Sequence, residues 1–132
     1  MTDEIKAVIN KFRAGDKESA FFELLEMPGD VIPALIDYFR NEARPAVRAF
    51  IVKAAWERRD PSVIPFLGEA LNDPKEGVWQ EALDGLVALA SSESLAVLES
   101  ARTIKFADKA NHKRFHLWLE EAVEQVQTEL RR

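Results

Sequence analysis

Residues 31–35, Val-Ile-Pro-Ala-Leu, return 32 residues later as Val-Ile-Pro-Phe-Leu at 63–67. The same interval aligns other apolar positions, and a weaker third copy extends the series toward the C-terminus. Self-similarity at a fixed interval is typical of repeat proteins, because each unit leaves one apolar side uncovered until a neighbour packs on it. The aligned positions are Phe39 with Leu71, Val47 with Trp79, Ile51 with Leu83 and Phe115, Ala54 with Leu86 and Trp118, and Ala55 with Val87 and Leu119.

The spacing of apolar residues predicts two helices and a turn in each repeat. Apolar residues recur three and four positions apart, as in Ile5, Val8 and Ile9, and segments with proline or glycine separate the stripes. No segment alternates with period two for long enough to indicate a sheet. The predicted helices form four pairs: 2–14 with 17–26, 30–42 with 45–59, 62–72 with 76–90, and 93–104 with 108–130.

This pattern resembles the HEAT-repeat family, including its bacterial lyase-type relatives. The resemblance covers residues 28–104 and implies an all-α superhelix, a HEAT-like solenoid of about four helical hairpins, as a single domain over 1–132. The family's inter-helix aspartate is absent at 42–44 and its arginine is absent at position 80, which weakens the expectation of a regular polar ladder between repeats. The resemblance is carried by the helix start at 61–67, the turn at 72–74, the helix start at 78–83, and Arg-Pro-Ala-Val-Arg at 44–48.

Composition limits the compartments and partners to be expected. The chain has 132 residues, no cysteine and a net charge of −5, so disulfides and thiolate chemistry are excluded and nucleic-acid binding is disfavoured. The N-terminus does not read as a signal peptide, and no apolar run reaches the roughly 20 residues that span a bilayer. We therefore expect a cytoplasmic protein, monomeric or weakly self-associating, that binds a protein partner, with a basic one favoured, and neither nucleic acid nor membrane.

The resemblance implies that the second helix of each pair lines a concave surface. On the helix predicted at 45–59, Trp56 lies nine residues after Val47, half a turn away from the core stripe, and is expected to face outward. Tryptophan is enriched in interface hot spots, so Trp56 marks a candidate contact site. The alternative is that this central helix is apolar nearly all round and Trp56 is buried. Trp79 and Trp118 lie on the core stripe and are predicted to be structural.

The 32-residue interval carries this outward face onto the next two second helices. One aromatic residue then shares a surface with several carboxylates, which would suit a basic protein segment. The alternative is that each charge is simply solvated. The predicted partner-binding residues are Arg48, Lys53, Trp56, Gln80, Glu81, Asp84, His116 and Glu120.

No pattern in the sequence indicates a metal, a cofactor or catalysis. His112, His116 and Glu120 share one helix face, but three ligands spread over two turns of a straight helix do not converge on one ion, and neighbouring Lys113 and Arg114 disfavour a dication. Catalytic motifs are absent. We therefore predict a non-enzymatic adaptor or scaffold of bacterial type. The alternatives are an immunity protein that neutralises a cognate toxin, and a lyase-type accessory subunit or enzyme.

Overall fold

The computed structural model describes residues 2–132, and that part of the chain contains eight α-helices, two short 3-10 turns and no strand. The predicted all-α fold in four helix pairs is confirmed, with helix bounds within four residues of those predicted. The 3-10 turns are Pro61–Val63, before α5, and Ala101–Thr103, after α7. The helices are α1 Thr2–Arg13, α2 Lys17–Glu26, α3 Val31–Arg40, α4 Pro45–Glu57, α5 Ile64–Ala70, α6 Glu76–Leu89, α7 Ser92–Ser100 and α8 Lys109–Leu130.

Local residues fix several helix boundaries. α6 ends because Ala90 adopts a left-handed conformation with φ of 45°, and the next residue, Ser91, begins α7 by accepting a hydrogen bond from the N–H of Ser94 at 3.0 Å. Asp108 caps α8 in the same way, accepting from the N–H of Ala110 at 3.1 Å. Two residues connect α6 to α7, and eight connect α7 to α8.

The helices form two layers. The second helices, α2, α4, α6 and α8, pack side by side in chain order, and the first helices lie behind them. Phe39 of α3 meets Phe66 of α5 edge-on, with ring centroids 5.0 Å apart, which joins neighbouring repeats in the outer layer. One apolar cluster runs between the layers from Ile5 to Val126.

Trp79 is the largest fully buried side chain and anchors α8 to α6. Its Nε1–H donates to Oδ1 of the buried Asn111 at 3.0 Å, and Asn111 Nδ2 donates to the carbonyl of Pro74 at 2.9 Å. The prediction that Trp79 is structural is confirmed. The matching prediction for Trp118 is wrong in part: its ring packs edge-on against Trp79, with centroids 6.1 Å apart, but 41% of its surface is exposed.

The 32-residue interval predicts two of the three aligned positions on α8 correctly, because Phe115 and Leu119 are buried. Trp118, which the interval aligns with the buried Leu86, instead lines the surface depression between α6 and α8. The third copy of the repeat therefore matches the second only in part.

Candidate binding face

We call the solvent-facing side of α2, α4, α6 and α8 the second-helix face. Because these helices pack in chain order, it is a continuous surface. Most of the predicted partner-binding residues lie on its two central helices. Lys53 and Trp56 belong to α4, and Gln80, Glu81 and Asp84 belong to α6.

Trp56 is half-buried because it is wedged between α4 and α6. Its Nε1–H donates to Oε1 of Glu81 at 3.1 Å, and the Arg59 guanidinium lies 5.3 Å from its ring centroid. Its side chain rests on Gly85, where an added Cβ would come within 2.7 Å of the Trp56 Cβ and Cγ. Trp56 thus neither extends freely into solvent nor disappears into the core. It holds a fixed position on the second-helix face.

Two of the three carboxylates of α6, those of Glu81 and Asp84, are partly desolvated. Burial is the main cause that raises the pKa of Glu81, nearby Asp84 and Glu57 raise it further, and the hydrogen bond from Trp56 opposes the shift. Desolvation also raises the pKa of Asp84, although its side chain is exposed, because neighbouring side chains displace part of its hydration shell. Both groups therefore hold their negative charge in surroundings that disfavour it.

The N-terminal half of the second-helix face carries an aromatic depression of about 420 Å³, which we call the phenylalanine groove. Phe22 is 52% exposed at this groove. The Lys53 ammonium lies 5.2 Å from the Phe21 ring centroid, so a cation covers part of the apolar wall. The lining residues are Phe12, Lys17, Glu18, Phe21, Phe22, Ala46, Ala49, Phe50, Lys53 and Glu81.

Sequence reasoning missed the phenylalanine groove, although a signal was present. Phe21 and Phe22 are adjacent, and neighbours on a helix point about 100° apart, so both cannot face the core centre. The structure half-buries Phe21 and leaves Phe22 exposed. The stacking of Phe12 on Phe50, with centroids 4.3 Å apart, joins residues 38 positions apart and had no local signal.

Arg48 and Gln80 have their polar groups engaged within the chain. The Arg48 guanidinium pairs with Asp73 through Nε–Oδ2 at 2.7 Å and Nη2–Oδ1 at 3.1 Å, and Nη1 donates to two carbonyls of the α3–α4 turn at 3.1 and 2.7 Å. This pair joins α4 to the turn between α5 and α6 of the next repeat. The Gln80 amide donates to Glu76 one turn earlier at 3.1 Å.

His116 and Glu120 lie away from the other predicted residues. His116 Nε2–H donates to the carbonyl of Ile104 at 2.7 Å, and Glu120 forms a two-point pair with Arg102, with both N–O distances at 2.9 Å. Both side chains therefore face the segment after α7, not Asp84. The prediction that they continue the α6 surface is corrected by these contacts, which hold both side chains against the segment after α7.

Trp118, Glu121, Ala122 and Gln125 of α8 line a depression together with Asp84 of α6. Two adjoining depressions between α6 and α8, of about 330 and 720 Å³, share part of their lining, and we call them together the acidic groove. The lining residues are Leu83, Asp84, Val87, Ala88, Ala90, Trp118, Glu121, Ala122, Glu124, Gln125, Thr128, Glu129 and Arg132.

The described residues bring no three histidine, aspartate or glutamate side chains into a group that could hold a metal ion. His112 Nδ1 accepts from the N–H of Phe106 at 3.2 Å, and His116 and Glu120 are engaged as described above. Nor does any helix within residues 2–132 combine the length and apolar character needed to cross a bilayer. What this face offers chemically is fixed aromatic surface beside carboxylates.

Comparison with known proteins gives one match. A family model for HEAT repeats matches residues 32–108, which is more than half of the chain. The match runs from the start of α3 to the residue before α8, and so includes α4, α6 and the turns between them. No curated protein and no solved structure matched.

Proposed function

Because the chain belongs to the HEAT-repeat family, we propose that it is a non-catalytic protein-interaction module that binds a partner protein on the second-helix face. HEAT repeats generally mediate protein–protein interactions, and the family is typically a non-catalytic scaffold. Fold alone does not assign a function, so the proposal depends on what this particular surface offers.

The phenylalanine groove is the observation that carries the proposal. Interface hot spots are aromatic side chains and pockets near the centre of a contact, surrounded by residues that exclude water. Phe22 is 52% exposed and lies beside three further phenylalanine rings. Contact of this apolar surface with water is unfavourable in the free protein. An apolar side chain of a partner would remove that surface from water. The lysines and glutamates at the rim would supply polar contacts.

The packing that holds the phenylalanine groove in place supports a role in partner binding. Binding sites work best on side chains already held in place, because less conformational entropy is lost on association. The Phe12–Phe50 stack fixes the floor of the groove, and the Trp56–Gly85 contact fixes α4 against α6. Rigid helices therefore present the aromatic surface, whereas flexible loops would have to be ordered on binding.

The test is capture of a partner by the full chain from native cell extract, followed by titration of the identified protein. Replacement Phe22→Ser should weaken that binding by about tenfold or more, as expected for a hot-spot aromatic residue. The matched control is Leu117→Ser, which removes another exposed apolar side chain, 61% accessible on α8 and outside both grooves. It should leave the affinity within about twofold.

Equal binding by the wild type and Phe22→Ser, or no partner at all, would contradict the proposal. The identity of the captured protein would then separate its versions. A partner that is toxic alone and harmless in the presence of this chain would indicate an immunity protein, and a cofactor-bearing enzyme would indicate an accessory subunit.

A further inference from the structure

The acidic groove has the dimensions of a peptide site. It follows α8 from Trp118 to Arg132, which is about 21 Å at 1.5 Å per residue. About six residues of extended chain span that distance at roughly 3.3 Å each. Leu83, Val87 and Ala122 are among its lining side chains, so a bound segment would also cover some apolar surface.

Four carboxylates line the acidic groove, and one of them, Glu129, pairs with Arg132 of the same groove at 3.2 Å. Asp84, Glu121 and Glu124 take part in none of the ion pairs among residues 3–132. Desolvation raises the pKa of Asp84. The groove therefore carries a negative charge that its own arginine does not balance.

Trp118 adds an aromatic wall beside these charges. Its contact with Trp79 holds the ring in place, while 41% of its surface stays open and lines the groove. A guanidinium can lie on an aromatic face and form two parallel hydrogen bonds to a carboxylate, which an ammonium cannot do with the same geometry. An aromatic ring beside uncompensated carboxylates is therefore complementary to arginine.

We infer that the acidic groove binds an extended, arginine-bearing segment of the partner protein, with one guanidinium between the Trp118 ring and the carboxylates of Asp84 and Glu121. The inference rests on the proposed function and names the chemistry of the partner. The inference concerns the acidic groove, whereas the proposed function depends on the phenylalanine groove. An experiment can therefore contradict either one without contradicting the other.

The probe is a fluorescein-labelled six-residue peptide with arginine at alternate positions, titrated with the full chain and followed by fluorescence anisotropy. The same peptide with glutamate in place of arginine is the charge control. We expect Asp84→Asn and Glu121→Gln each to weaken arginine-peptide binding by about three- to fivefold. The matched variant is Glu93→Gln, which removes the same charge from an exposed site on α7 and should change binding by less than about 1.5-fold.

Trp118 is tested by graded replacement, since a full truncation could disturb its packing on Trp79. Affinity should fall in the order wild type, Trp118→Phe, Trp118→Leu, because phenylalanine keeps an aromatic face and leucine keeps only apolar bulk. Circular dichroism on each variant checks that the helices remain folded. Equal affinities for the phenylalanine and leucine variants would contradict the stacking geometry.

Three outcomes would overturn the inference: no arginine-peptide binding, equal weakening by Glu93→Gln, or equal binding of the glutamate peptide. Displacement of the arginine peptide by millimolar Ca²⁺ but not Na⁺ at equal ionic strength would assign the groove to a cation instead. Failure here together with Phe22-dependent capture of a partner would leave the proposed function standing. Arginine-peptide binding without such capture would contradict the proposed function and leave the acidic groove as a peptide site.

Discussion

At the scale of single residues, the tightest contact on the second-helix face is that of Trp56 with Gly85. The side-chain atoms that a new Cβ would meet are the Trp56 Cβ and Cγ, at 2.7 Å each. Those atoms sit close to the α4 backbone and cannot turn aside as the end of a long side chain can. The close approach of α4 to α6 therefore explains why a glycine occupies position 85 in the middle of α6.

The replacement Gly85→Ala should destabilise the protein despite alanine's better helix propensity. Alanine gains about 1 kcal/mol in an exposed helix, but overpacking of a filled interface costs about 1–3 kcal/mol, and the Trp56 contact decides the sign. We expect a net loss of about 1 kcal/mol in the free energy of unfolding, measured by urea denaturation. The control in the same helix is Gly77→Ala, which meets nothing within 4 Å and should be neutral or stabilising. A stabilised Gly85→Ala would show that α4 and α6 separate easily.

At the scale of elements, Arg58 joins the first two hairpins through the end of a helix. Its guanidinium donates to the carbonyls of Leu24, Leu25 and Met27 at 3.0, 3.2 and 2.7 Å, just after α4 and at the C-terminus of α2. The last carbonyls of a helix have no partner within it and carry partial negative charge. One cation thus satisfies the end of α2 and fixes its angle to α4.

Loss of the Arg58 cap should lower the free energy of unfolding. The replacement Arg58→Met keeps the alkyl stem but removes every donor, and we expect a loss of about 1.5–3 kcal/mol, the usual range for hydrogen bonds to a charged group. Chemical denaturation measures the change, and Arg131→Met, at an exposed arginine near the end of the chain, should stay within about 0.5 kcal/mol of the wild type. Equal effects of the two replacements would mean that water caps α2 as well as Arg58 does.

Some features of the helices and their contacts could be predicted from the sequence, and others could not. Helix bounds and stacking order follow from local signals, namely the apolar spacing and residues such as Pro45 and Ser91 that begin helices. The contact of Arg58 with α2 and the pairing of Arg48 with Asp73 join positions 25 to 34 residues apart, and no local pattern encodes them. The position of Trp118 was misjudged because the third copy of the repeat matches the second only in part, and periodicity in two copies does not fix the third.

At the scale of the whole molecule, the question is whether the hairpins unfold together. Stability in a solenoid is the sum of each repeat and its contacts with the next, so a weak interface lets one end unfold first. In this chain one apolar cluster runs from Ile5 to Val126 without a gap, and α4 packs extensively on α6 at its centre. We therefore expect residues 1–132 to unfold as a single cooperative unit.

The replacement Asn111→Leu tests that expectation at the contact between the last two second helices. Leucine keeps the branched shape of asparagine but leaves the buried Trp79 N–H without an acceptor, which should cost about 1–3 kcal/mol. Two of the three tryptophans lie on α6 and α8. If the unit is cooperative, tryptophan fluorescence and helical circular dichroism, which reports the whole chain, will shift to the same lower urea midpoint. The control Ala110→Leu, at an exposed neighbour, should leave both midpoints nearly unchanged. If the fluorescence transition of Asn111→Leu occurs at lower urea than the dichroism transition, the last hairpin is a separate folding unit. The acidic groove between α6 and α8 would then be lost at a lower urea concentration than the phenylalanine groove.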